Sequence, residues 1–157
     1  MRNKNRFFLL SCTCLVIVLL VSSVSIAASN KIKWNDENIQ WYTYDEGLNL
    51  ARIDQKPIIL IIYTNWCSTC KSYGKIFRQD EIVKAASDFI MIRVNKDDDR
   101  ETSKSYGYDG EYIPRTFAIS SKGEVMHQIY PEKSYKYYIG VDSRSLLSLM
   151  RKALKNN

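Results

Sequence analysis

The feature that most constrains this chain is an apolar run that leads directly into a pair of cysteines. Pro57-Ile58-Ile59-Leu60-Ile61-Ile62-Tyr63 is rich in β-branched residues and is followed by polar Thr64-Asn65, a pattern that predicts a buried strand. The next residues, from Trp66-Cys67-Ser68-Thr69-Cys70-Lys71 onward, have helical spacing. The sequence therefore places both cysteines where a strand ends and a helix begins.

This position suits thiol chemistry. Unpaired backbone N–H groups and the positive end of the helix dipole favour an anion there, and the thiolate is the reactive form of cysteine. Residues three apart share one face of a helix, so the two sulfurs can meet at disulfide distance. Cys67, nearer the free end, is predicted to be the attacking sulfur. Cys70, one turn further in, is predicted to resolve the mixed disulfide.

A Cys-x-x-Cys pair on its own has two other interpretations, half of a zinc site and a structural disulfide. A zinc site needs about four ligands, usually including a second Cys or His pair. The only histidine is His127, and the other cysteines, Cys12 and Cys14, lie in the N-terminal apolar segment. The strand–turn–helix context favours a redox pair that uses neither a metal nor a cofactor.

The first residues have the pattern of a targeting segment. Residues 1–6 are basic, residues 7–21 are continuously apolar, and Ser25-Ile26-Ala27 fits the small-x-small cleavage rule. We predict a signal peptide over residues 1–27 and a single mature domain over residues 28–157. The alternative is an uncleaved membrane anchor, because residues 7–28 are just long enough to span a bilayer.

Export changes how the cysteines and the charge are interpreted. Removing residues 1–27 leaves Cys67 and Cys70 as the one cysteine pair, with none to spare for structural staples. It also removes three basic residues and no acids, which lowers the net charge from +6 to +3. This charge gives no electrostatic case for binding nucleic acid.

Periodicity and turn signals predict a single α/β domain. The predicted elements are a strand at 39–42, a capped helix over 43–53, the strand at 58–63, the cysteine-bearing helix, a helix at 81–87, a strand at 89–94, a short helix at 101–106, a strand at 116–119, a hairpin edge strand at 124–129 and a last helix capped by Asp142-Ser143. This order predicts a central mixed sheet with helices on both faces.

The combined pattern resembles the thioredoxin superfamily over roughly residues 36–155. The Trp-Cys-x-x-Cys-Lys segment after a buried strand, and Ile113-Pro114 before a hairpin and a closing helix, carry the resemblance. A narrower likeness is to exported bacterial single-domain thioredoxins and to the small endoplasmic-reticulum thioredoxin-like and anterior gradient proteins. The segments that carry it are Trp41 with Tyr44-Asp45-Glu46-Gly47, Lys56-Pro57, Asp109-Gly110, Tyr112-Ile113-Pro114-Arg115 and Ser134-Tyr135-Lys136-Tyr137-Tyr138.

The resemblance implies a thioredoxin fold and a substrate-binding surface beside the cysteines. In this family the proline that matches Pro114 is cis and faces the cysteines, so Ile113 would offer its backbone to an extended substrate segment. A trans proline that opens a strand is the alternative. Trp66 is expected to wall the site and shield the sulfur, and its alternative role is that of a packed core aromatic. Arg115 is expected to be a surface cation.

The sequence departs from the family at two places. Thioredoxins and protein disulfide isomerases usually carry a buried acid six residues before the first cysteine, and here that residue is Ile61. Proton transfer to the resolving thiol must then use water or another group. The Ser68-Thr69 dipeptide lacks both the proline of reducing thioredoxins and the histidine of oxidising isomerases. About 30 mV corresponds to only ~1.4 kcal/mol in this couple, so one hydrogen bond decides the direction.

These observations predict an exported, monomeric protein-disulfide oxidoreductase that acts on protein substrates with disulfides or thiols and is reset by a separate redox partner. Reduction is favoured over oxidation or isomerisation because the resemblance to single-domain thioredoxins is broadest. The alternative from another class is a non-catalytic binding or chaperone-like module. The chain ends without a KDEL-type signal, so a periplasmic or secreted protein is expected, with a membrane-anchored one as second choice.

Overall fold

The computed structural model describes residues 31–131 and 133–157. The expected signal peptide or anchor, residues 1–27, lies outside them, as do Cys12 and Cys14. Within the part of the chain that is described, no helix is both long enough and apolar enough to cross a membrane.

Within the described residues, four strands form one mixed sheet. They are β1 (Trp41–Tyr42), β2 (Ile58–Tyr63), β3 (Ile90–Asn95) and β4 (Arg115–Ile119). Their order across the sheet is β1-β3-β2-β4, with β1 and β2 parallel to β3 and with β4 antiparallel to β2. β2 is an inner strand covered on both faces, which explains why its sequence is continuously apolar rather than alternating.

In the part of the chain that the structure describes, five helices flank this sheet. They are α1 (Tyr44–Asp54), α2 (Ser68–Ile76), α3 (Asp80–Ala86), α4 (Arg100–Ser105) and α5 (Ser143–Lys155). The predicted caps are confirmed at two of them. Thr43 and Glu46 form a capping box at the start of α1, and the Asp142 carboxylate accepts the Ser145 N–H at the start of α5.

The helices cover both faces of the sheet, as predicted. α1 packs so closely on β3 that a side chain at Gly47 would overlap Ile92. On α2, the Tyr73 hydroxyl lies 3.0 Å from Thr116 Oγ1 of β4. Ile92 and Thr116 pair with neighbouring residues of β2, so they point to opposite faces of the sheet. The fold is the α/β thioredoxin fold that the sequence predicted.

The predicted edge strand at 124–129 is wrong. One isolated bridge joins Ile119 to Val125, and the chain then turns into a short 3₁₀ helix over His127–Ile129. The alternation of polar and apolar residues in this segment therefore corresponds to one isolated bridge followed by a turn.

A tyrosine side chain explains why no fifth strand forms there. The Tyr130 hydroxyl accepts the Ala118 N–H at 2.6 Å and donates to the Thr116 carbonyl at 2.9 Å. The Thr116 N–H donates to the Tyr137 carbonyl at 2.9 Å. These contacts satisfy the backbone groups at the outer edge of β4 that another strand would have paired.

Candidate active site

Cys67 is the N-cap residue of α2. Its backbone is extended, and the helix begins at the next residue. The Cys67 Sγ accepts a hydrogen bond from the Cys70 N–H at 3.1 Å. Cys67 is 8% exposed, so only a small part of the residue reaches solvent. A thiolate is a stronger acceptor for such an N–H than a thiol is, and the N-terminus of a helix also favours negative charge. The predicted attacking sulfur therefore occupies a position that stabilises its reactive form.

Cys70 lies one turn further along α2 and is fully buried. The pKa of its thiol is raised to about 12, first by burial and second by the hydrogen bond with Cys67, whereas a backbone contact with Thr64 acts in the opposite direction. Both cysteines are free thiols in the structure. The two sulfurs are thus unequal, one at the surface of the site and one held neutral behind it.

Trp66 lies at the surface beside Cys67. It is 67% exposed, which overturns the alternative of a packed core aromatic. Its indole Nε1 donates to Asp97 Oδ2 at 2.9 Å. Asp97 belongs to the turn between β3 and α4, and this hydrogen bond orients the ring. Sequence motifs did not predict this role, because the hydrogen bond joins side chains of two separate turns.

The Ile113-Pro114 peptide bond is cis, as the resemblance implied. Arg115 pairs with Ile62 of β2, so Pro114 lies at the end of the sheet from which the chain continues to Cys67. Ile113 is half-buried. Its backbone N–H and carbonyl make no hydrogen bond to residues 31–131 or 133–157. Both groups therefore remain available to an incoming chain.

Arg115 is fully buried, so the expectation of a surface cation is wrong. Its guanidinium donates to the carbonyls of Tyr106, Gly110 and Ser103 and to the Ser103 hydroxyl, at 2.8 to 3.1 Å. Burial lowers the pKa of the guanidinium from its usual value. The arginine thereby ties the end of α4 and the following loop to the first residue of β4, next to the cis-proline turn.

The position of the missing acid is filled by buried Ile61, which pairs across the sheet with Thr116. The polar groups at this level are the hydroxyls of Thr116 and Tyr73, which are hydrogen-bonded to each other. Thr64, just after β2, is also fully buried, and its Oγ1 has no hydrogen-bond partner in the described chain. The strand pair that carries Ile61 therefore presents hydroxyls and no carboxylate at this level of the sheet.

No metal cluster marks this site in the part of the chain that the structure describes. Across residues 31–131 and 133–157, no three His, Cys, Asp or Glu residues group closely enough to hold a metal ion. A cavity of about 510 Å³ lies between α5 and the segment before it, and none of its lining residues comes from 64–71 or 109–115. The site consists of the exposed indole of Trp66, the slightly exposed Cys67 and the backbone of Ile113, whose N–H and carbonyl make no hydrogen bond within the described chain.

Comparison with known proteins agrees with this geometry. A family model described as thioredoxin-like matches residues 40–120. The chain belongs to the thioredoxin-like family. It is 31% identical over 157 residues to anterior gradient protein 2 of Xenopus tropicalis, and the alignment covers 96% of this chain and 93% of that protein. It is 29% identical over 155 residues to anterior gradient protein 3 of Mus musculus, covering 90% and 92%.

A solved structure extends the comparison to the fold. The chain aligns with the DsbH oxidoreductase with a TM-score of 0.58 and 22% identity, covering 76% of this chain and 87% of that one. The resemblance that the sequence motifs indicated is confirmed. The family match includes Cys67, Cys70 and the Ile113-Pro114 turn, whereas residues 31–39 and α5 lie outside the matched span.

Proposed function

We propose that this thioredoxin-like protein is an exported oxidoreductase that reduces or exchanges disulfides in protein substrates. The observation that carries the proposal is the unequal cysteine pair, with Cys67 capping α2 and Cys70 buried one turn behind it. A redox pair needs one sulfur that attacks and one that waits as a thiol, and these surroundings supply both.

The reaction proceeds in two exchanges. The Cys67 thiolate attacks one sulfur of the substrate disulfide, forms a mixed disulfide and releases the other substrate sulfur as a thiolate. Cys70 then loses its proton and attacks the Cys67 sulfur, which releases the second substrate thiolate to take up a proton. The substrate gains two electrons, the Cys67–Cys70 disulfide remains, and a separate dithiol partner must reduce it.

The substrate is held along the cis-proline turn. Its extended segment pairs with the free N–H and carbonyl of Ile113, and Pro114 fixes the direction of that backbone. Trp66, oriented by Asp97, forms the opposite wall. Backbone pairing recognises an extended chain of any sequence, which suits an enzyme that acts on many proteins.

A covalent trap tests the mechanism. In the Cys70→Ser variant the mixed disulfide cannot be resolved, so incubation with oxidised insulin or another disulfide-bonded protein should accumulate a covalent complex through Cys67 that dithiothreitol releases. The Cys67→Ser variant is the matched control and should form none. Absence of a trapped species in Cys70→Ser, or equal trapping in both variants, contradicts the mechanism.

A second measurement fixes the direction. Wild-type protein should reduce insulin disulfides in the presence of dithiothreitol, and the double Cys→Ser variant should not. An equilibrium titration of the pair against glutathione then separates a reductant from an oxidant or isomerase. Client binding that is equal in wild type and the double variant, without turnover, identifies a non-catalytic module instead.

A further inference from the structure

Two tyrosine rings form an exposed corner beside the cis-proline turn. Tyr112 is half-buried and Tyr135 is 60% exposed. Their rings meet edge to face, with centroids 4.9 Å apart and an interplanar angle of 86°. We call this pair the aromatic corner. Tyr112 immediately precedes Ile113, so the corner adjoins the backbone proposed to hold the substrate.

The corner is held in place by a set of hydrogen bonds. Asp109 Oδ2 accepts from the Tyr112 hydroxyl at 2.6 Å and from the Lys136 N–H at 2.5 Å. The Tyr112 hydroxyl in turn accepts the Tyr137 N–H at 2.9 Å. One carboxylate and one phenol thus fasten the 135–137 segment onto the loop that leads to the cis-proline. The placement of Tyr135 is therefore defined by the hydrogen bonds of the two residues that follow it.

Tyr135 adopts a backbone conformation that does not suit a bulky residue. Its φ is +56°, in the left-handed region where glycine and asparagine are usual. Glycine would relieve this conformation, yet the chain carries a large aromatic side chain there and leaves most of it in solvent. Burial in the core does not account for that choice, and strained residues of this kind cluster at functional sites.

A bound substrate segment would reach the corner. An extended chain advances about 3.3 Å per residue. If one substrate residue pairs with Ile113, the side chain two or three residues further along the substrate therefore lies beside the residues of this protein that neighbour Ile113. An edge-to-face pair leaves ring surface open to a third aromatic ring. Asp109 Oδ2 accepts two hydrogen bonds from within the corner, and the apolar contact comes from the rings of Tyr112 and Tyr135.

We propose that the aromatic corner is a specificity site, which binds an aromatic side chain of the substrate two or three residues from its disulfide-bonded cysteine. This inference rests on the proposed function. It identifies the substrate class as disulfides flanked by an aromatic residue. The chemistry at Cys67 is unaffected by it, because the corner contributes binding and no reacting atom.

A comparison of peptide substrates tests the inference. Each peptide of the panel contains one cysteine, which forms a mixed disulfide with glutathione. The peptides carry either Phe or Ser at one position, two or three residues before or after that cysteine. The readout is kcat/KM for glutathione release by the reduced protein. Wild type should prefer the Phe peptide at one of these positions by about fivefold to tenfold, the range of a stacked aromatic contact.

Three variants make the test specific. Tyr135→Gly should abolish the preference while retaining the fold and the rate with Ser peptides, because glycine tolerates the backbone conformation. Tyr135→Phe should retain the preference. Ile53→Ser removes another exposed apolar side chain, 76% exposed on the last turn of α1 before the opposite end of β2, and should also retain it.

The outcomes separate the two proposals. Turnover by wild type with no preference for Phe, or an equal preference in Tyr135→Gly, overturns the specificity site and leaves the oxidoreductase function standing. Failure of wild type to release glutathione from any peptide overturns the oxidoreductase function as well. A preference that is lost in Tyr135→Gly and kept in the other two variants supports the site.

Discussion

The burial of Cys70 affects the proton on its sulfur and, through that proton, the stability of the fold. Burial raises the pKa of Cys70 to about 12 in the folded state, whereas an unfolded chain has an ordinary thiol pKa of about 8.5. Above that value the unfolded state releases the proton and the folded state keeps it. The neutral thiol therefore stabilises the fold fully at lower pH, and this contribution is lost as the pH rises from about 8.5 toward 12.

The expected result is that the reduced wild-type protein loses stability more steeply with pH than Cys70→Ala does. Between pH 8 and pH 9.5 the extra loss should be about 1 kcal/mol, measured by urea unfolding under a reductant. This range lies below the usual pKa of tyrosine, about 10, and groups that do not contact Cys70 cancel in the comparison. Parallel pH profiles for the two proteins would show that Cys70 ionises normally in the fold.

Single residues also mark how far the sequence predicts the site. The positions of Cys67 and Cys70 were predicted from the strand and helix signals on either side of the pair, because a strand end and a helix start determine where both sulfurs lie. The burial of Arg115 was missed, since its partners are carbonyl oxygens, and any residue type carries one. The hydrogen bond from Trp66 to Asp97 was missed because it joins two separate turns.

At the scale of elements, the outer edge of β4 is closed by a side chain instead of a strand. Both hydrogen bonds of the buried Tyr130 hydroxyl go to backbone groups of this edge. Tyr130→Phe keeps the ring and leaves the Ala118 N–H and the Thr116 carbonyl without that partner. Each unsatisfied buried group costs about 1–3 kcal/mol, so the variant should lose about 3 kcal/mol of unfolding free energy in urea titrations.

Tyr42→Phe is the matched control for this change. Tyr42 lies in β1 and its hydroxyl has no hydrogen bond within the described chain, so its removal should alter stability by less than about 0.5 kcal/mol. Equal small losses for both variants would mean that water or another group replaces the Tyr130 hydroxyl at the strand edge.

The helices and the inner strands were predicted well because their signals are local. β2 matches the prediction residue for residue, and α1, α3 and α5 begin within one residue of their predicted starts. Capping residues and continuous apolar runs determine these elements regardless of distant contacts. The failed edge strand depended on Tyr130, which reaches back to β4 from beyond the segment itself. The alternation of polar and apolar residues within a segment contains no information about a distant side chain that binds the same backbone groups.

For the whole molecule, the segment before the family match completes the fold around the active-site helix. Trp34 is 1% exposed, and its ring contacts four aromatic rings at centroid distances of 4.9 to 6.4 Å. The Ile32 N–H donates to Asn65 Oδ1 at 3.1 Å, close to Cys67 in the chain. At Gly74 of α2, an added Cβ would lie 2.7 Å from the Ile32 side chain. The segment thus lies directly against α2.

Trp34→Ala should therefore destabilise the whole domain. Replacing a buried tryptophan with alanine typically costs about 3–5 kcal/mol, because apolar contacts are lost and a cavity remains. Urea unfolding of the variant should show this loss, whereas Ile53→Ala, at a residue 76% exposed, should stay within about 0.5 kcal/mol of wild type. If Trp34→Ala costs less than about 1 kcal/mol, residues 31–39 only rest on a fold that the family-matched region forms without them. A full loss means that the cysteine-bearing helix depends on two supports, the sheet and this segment.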